Sequence, residues 1–366
     1  MVYIKLVIMI GEKMGREKII ALFNNKGGVS KTTTTYNLGW MLALLGKRVL
    51  IIDSDPQCNL TGVSINSTRE TKLEEIYESD ISNIKLALEP VLGGSLRPLE
   101  PVKCYEFKEN SNLFLLPGNI QFSEYDATYN IAETMTGSFV MLKNVPGAFR
   151  RMVDLTSDDY NIDYVLVDMS PSISATNANI FMQCDYFIVP CAPDYFCYMA
   201  IEALTSIFPR WNKNYKNMAA SDVFKEAEYK LKENPPIFLG TIQQRYRPRN
   251  GAPAKAFGEW IDAINNLVNE KLLPILKEYD MCIADDKLKF YENPYNLMNI
   301  ADFNSLIAQS QEHNTPIFLL SQEQVKQTGI TWSNMKKSRD EFYETFKALA
   351  ERIIPVSYTH LRAHET

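Results

Sequence analysis

Short apolar runs alternate with longer segments of helical character along most of the chain. The runs cover residues 18–25, 47–55, 112–118, 163–170, 186–193 and 237–244. Each run is continuous rather than alternating with polar residues, which is typical of strands that are buried on both faces. Because helical segments separate them, the pattern predicts an α/β fold with a doubly wound, mostly parallel sheet and helices on both faces.

Polar residues follow several of these runs directly. They lie at positions 24–33, 53–57 and 168–172, and at Pro193 and Asp194. Ligands of parallel α/β sheets bind at the carboxyl ends of the strands. We therefore expect these residues to face one crevice.

A strong amphipathic pattern covers residues 333–354 and predicts a helix that ends at Pro355. Its apolar positions on one face are Met335, Phe342, Phe346, Leu349 and Ile353. Packing of this face against the sheet is the simpler interpretation, and a helix for a membrane surface or a partner is the alternative.

We expect one domain, residues 18–355, with an elaborated region at about 66–110 that contains a Gly- and Pro-rich loop. Residues 1–17 are interpreted as an N-terminal extension, because Met14 is a natural start just before the first run. Residues 356–366 resemble translated vector sequence and are interpreted as a non-native tail. His360 and His364 in this tail are a metal pair only under a less favoured interpretation.

The composition is that of a soluble globular protein, with 46% hydrophobic and 22% charged residues among 366. A formal net charge of −6 disfavours a surface that is basic throughout, so contact with nucleic acid would need a local patch. The six cysteines show no metal-binding spacing and are expected to be reduced thiols. No apolar run is long enough to cross a bilayer, and a cytoplasmic location is expected.

The segment NNKGGVSKTTTTYNLGW, residues 24–40, places a glycine-containing loop between a strand and a helix that opens with Lys-Thr. Backbone N–H groups and a helix N-terminus surround phosphates in such an arrangement. Lys31 would reach the β- and γ-phosphates, and the Thr32 hydroxyl would bind Mg²⁺. The standard pattern G-x-x-x-x-G-K-[ST] nevertheless fails, because its glycine positions hold Asn25 and Ser30.

A variant pattern, K-G-G-x-x-K-T-[ST], does match. It comprises Lys26, Gly27, Gly28, Val29, Ser30, Lys31, Thr32 and Thr33. This segment resembles the deviant Walker A box of the ParA/MinD family of P-loop ATPases. The resemblance implies ATP and Mg²⁺ as cofactors, and a homodimer in which Lys26 contacts the phosphates bound by the other subunit. A lysine- and glycine-rich surface turn is the alternative.

Two later segments support the resemblance. IIDSDPQCNLTG resembles the family's D-x-D-P-Q segment, which implies that Asp55 orients the attacking water and that Asp53 lies near the metal. VLVDMSPS resembles the Walker B stretch, which implies that Asp168 binds Mg²⁺ through a water. Here Ser170 replaces the first of two prolines of the family pattern. A simple turn at Asp53 and a buried capping role for Asp168 are the alternatives.

Adenine recognition is expected from the loop after the last apolar run, with Gln243 or Gln244 as the candidates. ParA proteins also bind DNA without sequence preference as ATP dimers, through cations that neutralise phosphates. Two groups of residues would serve, unless they are ordinary solvated surfaces: Arg245, Arg247, Arg249 and Lys255, and Lys336, Lys337 and Arg339.

The resemblance thus implies a ParA-type partition ATPase that acts with a ParB-like partner and is nucleoid-associated if it binds DNA. A MinD-like positioning ATPase acting on a membrane or other cargo is the alternative. A metabolic role like that of iron-protein reductases or amidotransferase-like synthetases would need cluster cysteines or a glutaminase domain, and the sequence has neither.

Overall fold

The computed structural model describes residues 17–65, 80–95, 97–134, 142–249, 252–284, 288 and 293–358. The strands in these ranges are β1 (Lys18–Leu22), β2 (Val49–Asp53), β3 (Tyr105–Glu106), β4 (Leu113–Leu116), β5 (Tyr164–Asp168), β6 (Tyr186–Cys191), β7 (Ile237–Tyr246), β8 (Pro248–Arg249), β9 (Ala252–Pro253) and β10 (Asn296–Ala301). All six apolar runs of the sequence therefore contain a strand.

Eight strands form one sheet in the order β10-β7-β6-β1-β5-β2-β4-β3. All neighbours are parallel except β3, which pairs with β4 antiparallel. β8 and β9 form a separate antiparallel hairpin. The predicted α/β sheet is confirmed, while β10 and β3 at its two edges were not predicted.

Helices cover the sheet. They are α1 (Lys31–Leu44), α2 (Asn59–Ser64), α3 (Ile84–Leu92), α4 (Asp126–Thr134), α5 (Ala148–Tyr160), α6 (Ala175–Gln183), α7 (Tyr195–Ala220), α8 (Asp222–Lys225), α9 (Lys255–Leu267), α10 (Leu273–Glu278), α11 (Ser305–His313), α12 (Gln322–Val325) and α13 (Gly329–Tyr358). A π-helical turn at Val268–Leu272 joins α9 to α10, and 3₁₀ turns lie at Ile120–Tyr125 and Ile317–Leu319. None of the described helices is long and apolar enough to cross a membrane.

The last helix differs from its prediction at both ends. It begins at Gly329, and it continues past Pro355 to Tyr358, so the predicted end at Pro355 is wrong. Proline removes one backbone donor, and the buried Ser357 hydroxyl lies within hydrogen-bond distance of the Ile353 and Ile354 carbonyls. Ser357 also bonds to the hydroxyls of two sheet tyrosines, Tyr164 and Tyr186, which fixes this last turn on the sheet.

The apolar face of α13 packs against the core. Phe342, Phe346, Leu349 and Ile353 are buried, and Met335 is partly buried against them. This is the simpler of the two interpretations of its pattern. The predicted extension before residue 17 and the tail after residue 358, with His360 and His364, lie outside the described residues.

The centre of the sheet positions the predicted site. β1 is entirely buried between β5 and β6, and Leu22 at its end lies beside Asp168 of β5. Asp53 at the end of β2 pairs in register with Asp168. The carboxyl ends of three neighbouring strands thus bring the lysine loop and two aspartates to the same edge.

Candidate nucleotide site

The loop between β1 and α1 is built around two left-handed backbone positions. Gly28 has φ 73° and Ser30 has φ 60°. Glycine occupies this region without steric cost, which explains its use at the first position. Ser30 precedes α1 and makes no side-chain cap. The N-terminus of a helix is the positive end of its dipole, and this end of α1 faces the loop. Asn24, fully buried, anchors the loop by donating to the Pro190 carbonyl over 2.8 Å and by accepting from the Lys26 N–H over 2.9 Å.

Lys31 lies across the inside of this loop. Its ammonium donates to the Asn24 carbonyl at 3.2 Å and to the Lys26 carbonyl at 3.1 Å. Burial lowers the pKa of Lys31, and the nearby carboxylates of Asp168 and Asp55 oppose that shift. A buried ammonium whose hydrogen-bond acceptors, among the described residues, are neutral carbonyls is well suited to meet an anion.

Thr32 and Asp168 form a pair that fits Mg²⁺. The Thr32 hydroxyl donates to Asp168 Oδ2 over 2.7 Å, while Asp168 Oδ1 is buried and has no hydrogen-bond partner in the part of the chain that the structure describes. Burial, with the charge of Asp53 next in size, raises the pKa of Asp168 to about 8. A bound cation would give Asp168 Oδ1 a partner and would stabilise the charged form of the carboxylate. Mg²⁺ is usually coordinated by one or two protein oxygens together with substrate phosphates, and the oxygens of Thr32 and Asp168 match this preference.

Asp53 and Asp55 differ in what their oxygens contact. Asp53 is fully buried, and its Oδ2 accepts from both the N–H (2.8 Å) and the hydroxyl (2.7 Å) of Thr61. Burial raises its pKa to about 6, against the lowering effect of these bonds. Asp55 is 8% exposed and accepts from the Gln57 N–H. Asp53 therefore ties the strand end to α2, and Asp55 is the carboxylate nearer the surface.

Within the described ranges, no three His, Cys, Asp or Glu side chains come together as a metal-binding group. Of the residues predicted to bind the metal, Thr32 and Asp168 touch each other, whereas Asp53 is engaged with Thr61. The pair that fits Mg²⁺ is thus Thr32 and Asp168.

Lys26 forms an ion pair that the sequence did not predict. Its ammonium lies 2.8 Å from both carboxylate oxygens of Asp194 and 5.6 Å from the ring centre of Phe196. Asp194 also caps α7 by accepting from the Cys197 N–H over 2.8 Å. The sequence predicted Asp194 at the crevice because it follows an apolar run. No local pattern in the sequence predicts that it pairs with Lys26.

The end of β7 does not present Gln243 to the loop. Gln243 is fully buried and donates to Asn265 Oδ1 over 2.7 Å, so in this structure its amide is used for packing. Gln244 is also buried and donates to the Thr34 hydroxyl over 2.6 Å. The structure instead brings Arg245 to the loop, where its Nη1 donates to the Gly28 carbonyl over 2.8 Å. Adenine recognition by Gln243 is not supported by this arrangement.

The other residues predicted to contact DNA lie in two separate regions, the segment from β7 to α9 and the helix α13. Arg247 is exposed after β7, Arg249 lies in β8, and Lys255 begins α9. On α13, Lys336 and Lys337 are exposed, but Lys337 lies 3.9 Å from Glu341. Arg339 bonds to Asp340 and to the Leu320 carbonyl. Carboxylates therefore offset much of the positive charge on α13.

The sequence of this chain is similar to a known domain family and to individual proteins. A family model described as an AAA domain matches residues 17–220, which is more than half of the chain. The sporulation initiation inhibitor protein Soj of Bacillus subtilis is 30% identical over 191 residues, covering 52% of this chain and 63% of Soj. The chromosome partitioning protein ParA of Caulobacter vibrioides is 31% identical over 192 residues, covering 52% of this chain and 60% of that protein.

The chain thus spans less than two thirds of the length of these curated relatives. Among solved structures, pNOB8 ParA aligns with a TM-score of 0.56 and 22% identity over 93% of this chain and 99% of the other. The structure of pNOB8 ParA bound to nonspecific DNA aligns with a TM-score of 0.51 and 21% identity over 94% and 99%. At this identity, the structural likeness shows the fold.

Proposed function

The chain belongs to the AAA domain family of ParA/MinD-type P-loop ATPases, and on this premise we propose that it is an ATP-dependent dimerising switch. In this proposal it binds ATP with Mg²⁺ and hydrolyses ATP to ADP and phosphate. The nucleotide state then controls whether two copies of the chain are joined.

One observation carries the proposal: the arrangement of Lys31, Thr32 and Asp168 around the loop after β1. A buried ammonium lies inside the loop, and a hydroxyl bonded to a half-satisfied carboxylate lies at its base. Triphosphate and Mg²⁺ carry the charges that these groups lack. Binding would replace the neutral carbonyl partners of Lys31 by phosphate oxygens, which form stronger hydrogen bonds with a cation.

The residues of the site have distinct roles in the proposed hydrolysis. Thr32 and Asp168 would hold Mg²⁺, which neutralises charge on the β- and γ-phosphates. Lys31 binds those phosphates, and Asp55 orients the attacking water and accepts its proton. In-line phosphoryl transfer depends mainly on such positioning and charge stabilisation.

Lys26 has a different proposed role, at the interface of two copies. In the single chain its ammonium is held by Asp194, whereas the Lys31 ammonium donates to the Lys26 carbonyl of the loop. In the proposed dimer, Lys26 leaves Asp194 and contacts the γ-phosphate of the neighbouring subunit. ATP thereby becomes part of the contact between two protomers, and its hydrolysis weakens that contact.

The biological output that we propose is partition of DNA. Its support is the family, the likeness to Soj and ParA, and the solved complex of pNOB8 ParA with nonspecific DNA. ATP-bound dimers would bind DNA without sequence preference through Arg247 and Arg249, with a smaller contribution from Lys336, Lys337 and Arg339. A ParB-like partner would trigger hydrolysis.

The membrane-acting alternative lacks a supporting observation. The apolar positions of α13 that would contact a bilayer are buried in the core, and none of the other described helices is long and apolar enough to span one. We propose the nucleoid within the cytoplasm as the site of action, because the proposed activity is on DNA.

A retention assay on random-sequence DNA tests the proposal. Wild-type protein is applied with ATP and Mg²⁺, with ADP, and without nucleotide, over a series of salt concentrations. We expect retention only with ATP, falling as salt rises, because released counterions drive phosphate contacts. Retention on liposomes, or none on DNA in any state, would contradict the partition role.

Two substitutions test the site itself. Lys31→Ala should abolish binding of ATP and ADP measured by calorimetry, because the phosphates lose their buried cation. Lys26→Ala should still bind ATP but should neither dimerise in ultracentrifugation nor hydrolyse ATP. Normal dimerisation and turnover by Lys26→Ala would show that the cross-subunit role is wrong.

A further inference from the structure

The end of β7 contacts the loop between β1 and α1 (residues 23–30), which we call the phosphate loop, at two successive carbonyls. Arg245 Nη1 donates to the Gly28 carbonyl over 2.8 Å, and Gln244 Nε2 lies 3.5 Å from the Val29 carbonyl while donating to the Thr34 hydroxyl over 2.6 Å. The partners of the first bond are 217 positions apart in the chain. Two neighbouring side chains of β7 therefore contact the loop and the first turn of α1.

Arg245 makes this contact from a strained backbone. Its φ is 66°, in the left-handed region that side chains with a Cβ rarely occupy. Such conformations persist where the surrounding structure determines them, and they concentrate at functional sites. Here the unusual backbone directs an exposed arginine at the loop instead of at solvent.

The geometry of the peptide bond links this contact to phosphate binding. In a trans peptide the C=O and the next N–H point in opposite directions. Because Arg245 holds the Gly28 carbonyl on the side of β7, the Val29 N–H points to the opposite side of the loop, and the longer Gln244 contact of 3.5 Å acts in the same way on the Ser30 N–H. Among the described residues, neither of these N–H groups donates to a protein acceptor. Inward N–H groups in a loop of this kind are the donors that bind phosphate oxygens.

We propose that Arg245 is a positioning residue of the nucleotide site, which preorganises the phosphate loop by holding the Gly28 carbonyl. This inference rests on the proposed nucleotide-binding function and assigns Arg245 to the loop instead of to DNA. The guanidinium does not need to touch the nucleotide. It fixes the direction in which a loop N–H points, and the left-handed Gly28 permits that direction.

Calorimetric titration with Mg²⁺-ADP and Mg²⁺-ATP tests the proposal in the wild type, Arg245→Ala and Arg245→Lys. Arg245→Ala should bind both nucleotides about 3- to 10-fold more weakly, the range expected for one hydrogen bond. Arg245→Lys keeps a charged donor and should recover part of the loss. The unfolding temperature without nucleotide should stay at the wild-type value, which distinguishes positioning from a general structural role.

Arg210→Ala is the matched control, because Arg210 is an exposed arginine of α7 and its removal changes the net charge equally. It lies about 22 Å along the helix from the end that faces the loop. Its nucleotide affinity should equal that of the wild type. An equal loss of affinity in Arg210→Ala would overturn the proposal, since the effect would then be one of net charge.

Retention on DNA at saturating ATP separates the two assignments of Arg245. If Arg245 positions the loop, Arg245→Ala is retained like the wild type once ATP saturates. Unchanged nucleotide affinity with weaker DNA retention would overturn the proposal and return Arg245 to the DNA surface. Failure of the wild type to bind either nucleotide would instead refute the proposed function itself.

Discussion

The ion pair between Lys26 and Asp194 would oppose the proposed dimerisation by an amount that can be measured. Under the proposed function, Lys26 must leave Asp194 before it can reach the phosphates of a neighbouring subunit. Both side chains are partly exposed, with 26% and 42% of their surface accessible. A pair of this exposure is worth ~0.2–1 kcal/mol. Each dimer breaks two such pairs, so their loss costs ~0.4–2 kcal/mol, or about 2- to 30-fold in the dimer dissociation constant.

Asp194→Asn is the substitution that isolates this effect. Asparagine removes the charge, yet it can still cap α7 by accepting from the Cys197 N–H, as Asp194 does. We therefore expect the ATP-bound dimer to be about 2- to 30-fold tighter than in the wild type, with ATP affinity of the monomer little changed. Asp194→Ala, by comparison, loses the cap as well and should lose ~0.5–2 kcal/mol of stability.

Sedimentation velocity over a range of protein concentrations measures the dimer dissociation constant, with Mg²⁺ and a slowly hydrolysed ATP analogue present. The double variant Lys26→Ala with Asp194→Asn provides the control, since without Lys26 the substitution at Asp194 has no ion pair to release. A wild-type or weaker dimer in Asp194→Asn alone would refute the reasoning. So would a dimer of the double variant, because Lys26→Ala alone is expected to remain monomeric.

Three further predictions concern stability and are measured by urea unfolding. A Cβ on Gly39 would lie 2.7 Å from the side chain of Ile51 in β2, so Gly39→Ala should lower the free energy of unfolding by ~1–3 kcal/mol. Gly258 lies in a helix with open space around it, so Gly258→Ala should raise the free energy of unfolding by ~0.5–1 kcal/mol. Burial raises the pKa of Glu17 from 4.5 to about 8. Between these two pH values the folded state keeps a proton that the unfolded chain loses, so the free energy of unfolding should fall as the pH rises from about 4.5 to 8. Glu17→Gln should reduce this dependence of stability on pH. A chain that ends at Val356 should be less stable than one that ends at Tyr358, because the hydroxyls of Tyr164 and Tyr186 each lose a hydrogen bond to Ser357.

The buried strands could be predicted because each is a continuous apolar run whose burial does not depend on distant residues. The edge strand β10 lacks that signal. Its sequence, NLMNIA, mixes two asparagines with apolar residues, and three of its six positions are only partly buried. An edge strand has one neighbour instead of two, so its composition is less constrained. Its pairing with β7 is set by the tertiary fold.

The site divides in the same way. The lysine loop, Thr32 and Asp168 could be found from local patterns, because strand ends and a helix N-terminus impose fixed spacings. The contacts that restrain the loop could not be found. Lys26 and Asp194 are 168 positions apart, and their pairing depends on the adjacency of β1 and β6. Arg245, with its left-handed φ, was interpreted as a DNA contact because nothing in a run of arginines shows where one side chain points.

The partners of the two loop lysines indicate the order in which they can respond to ATP. Lys31 is held by neutral carbonyls, and burial lowers its pKa, so the charged form gains most from a nearby phosphate. Lys26 already has a carboxylate partner and gains only the difference between that partner and a phosphate. Exchange at Lys31 is therefore favoured by the monomer's own nucleotide. Under the proposed function, exchange at Lys26 needs the additional contacts that a second copy of the chain supplies, which makes nucleotide binding and assembly separable steps.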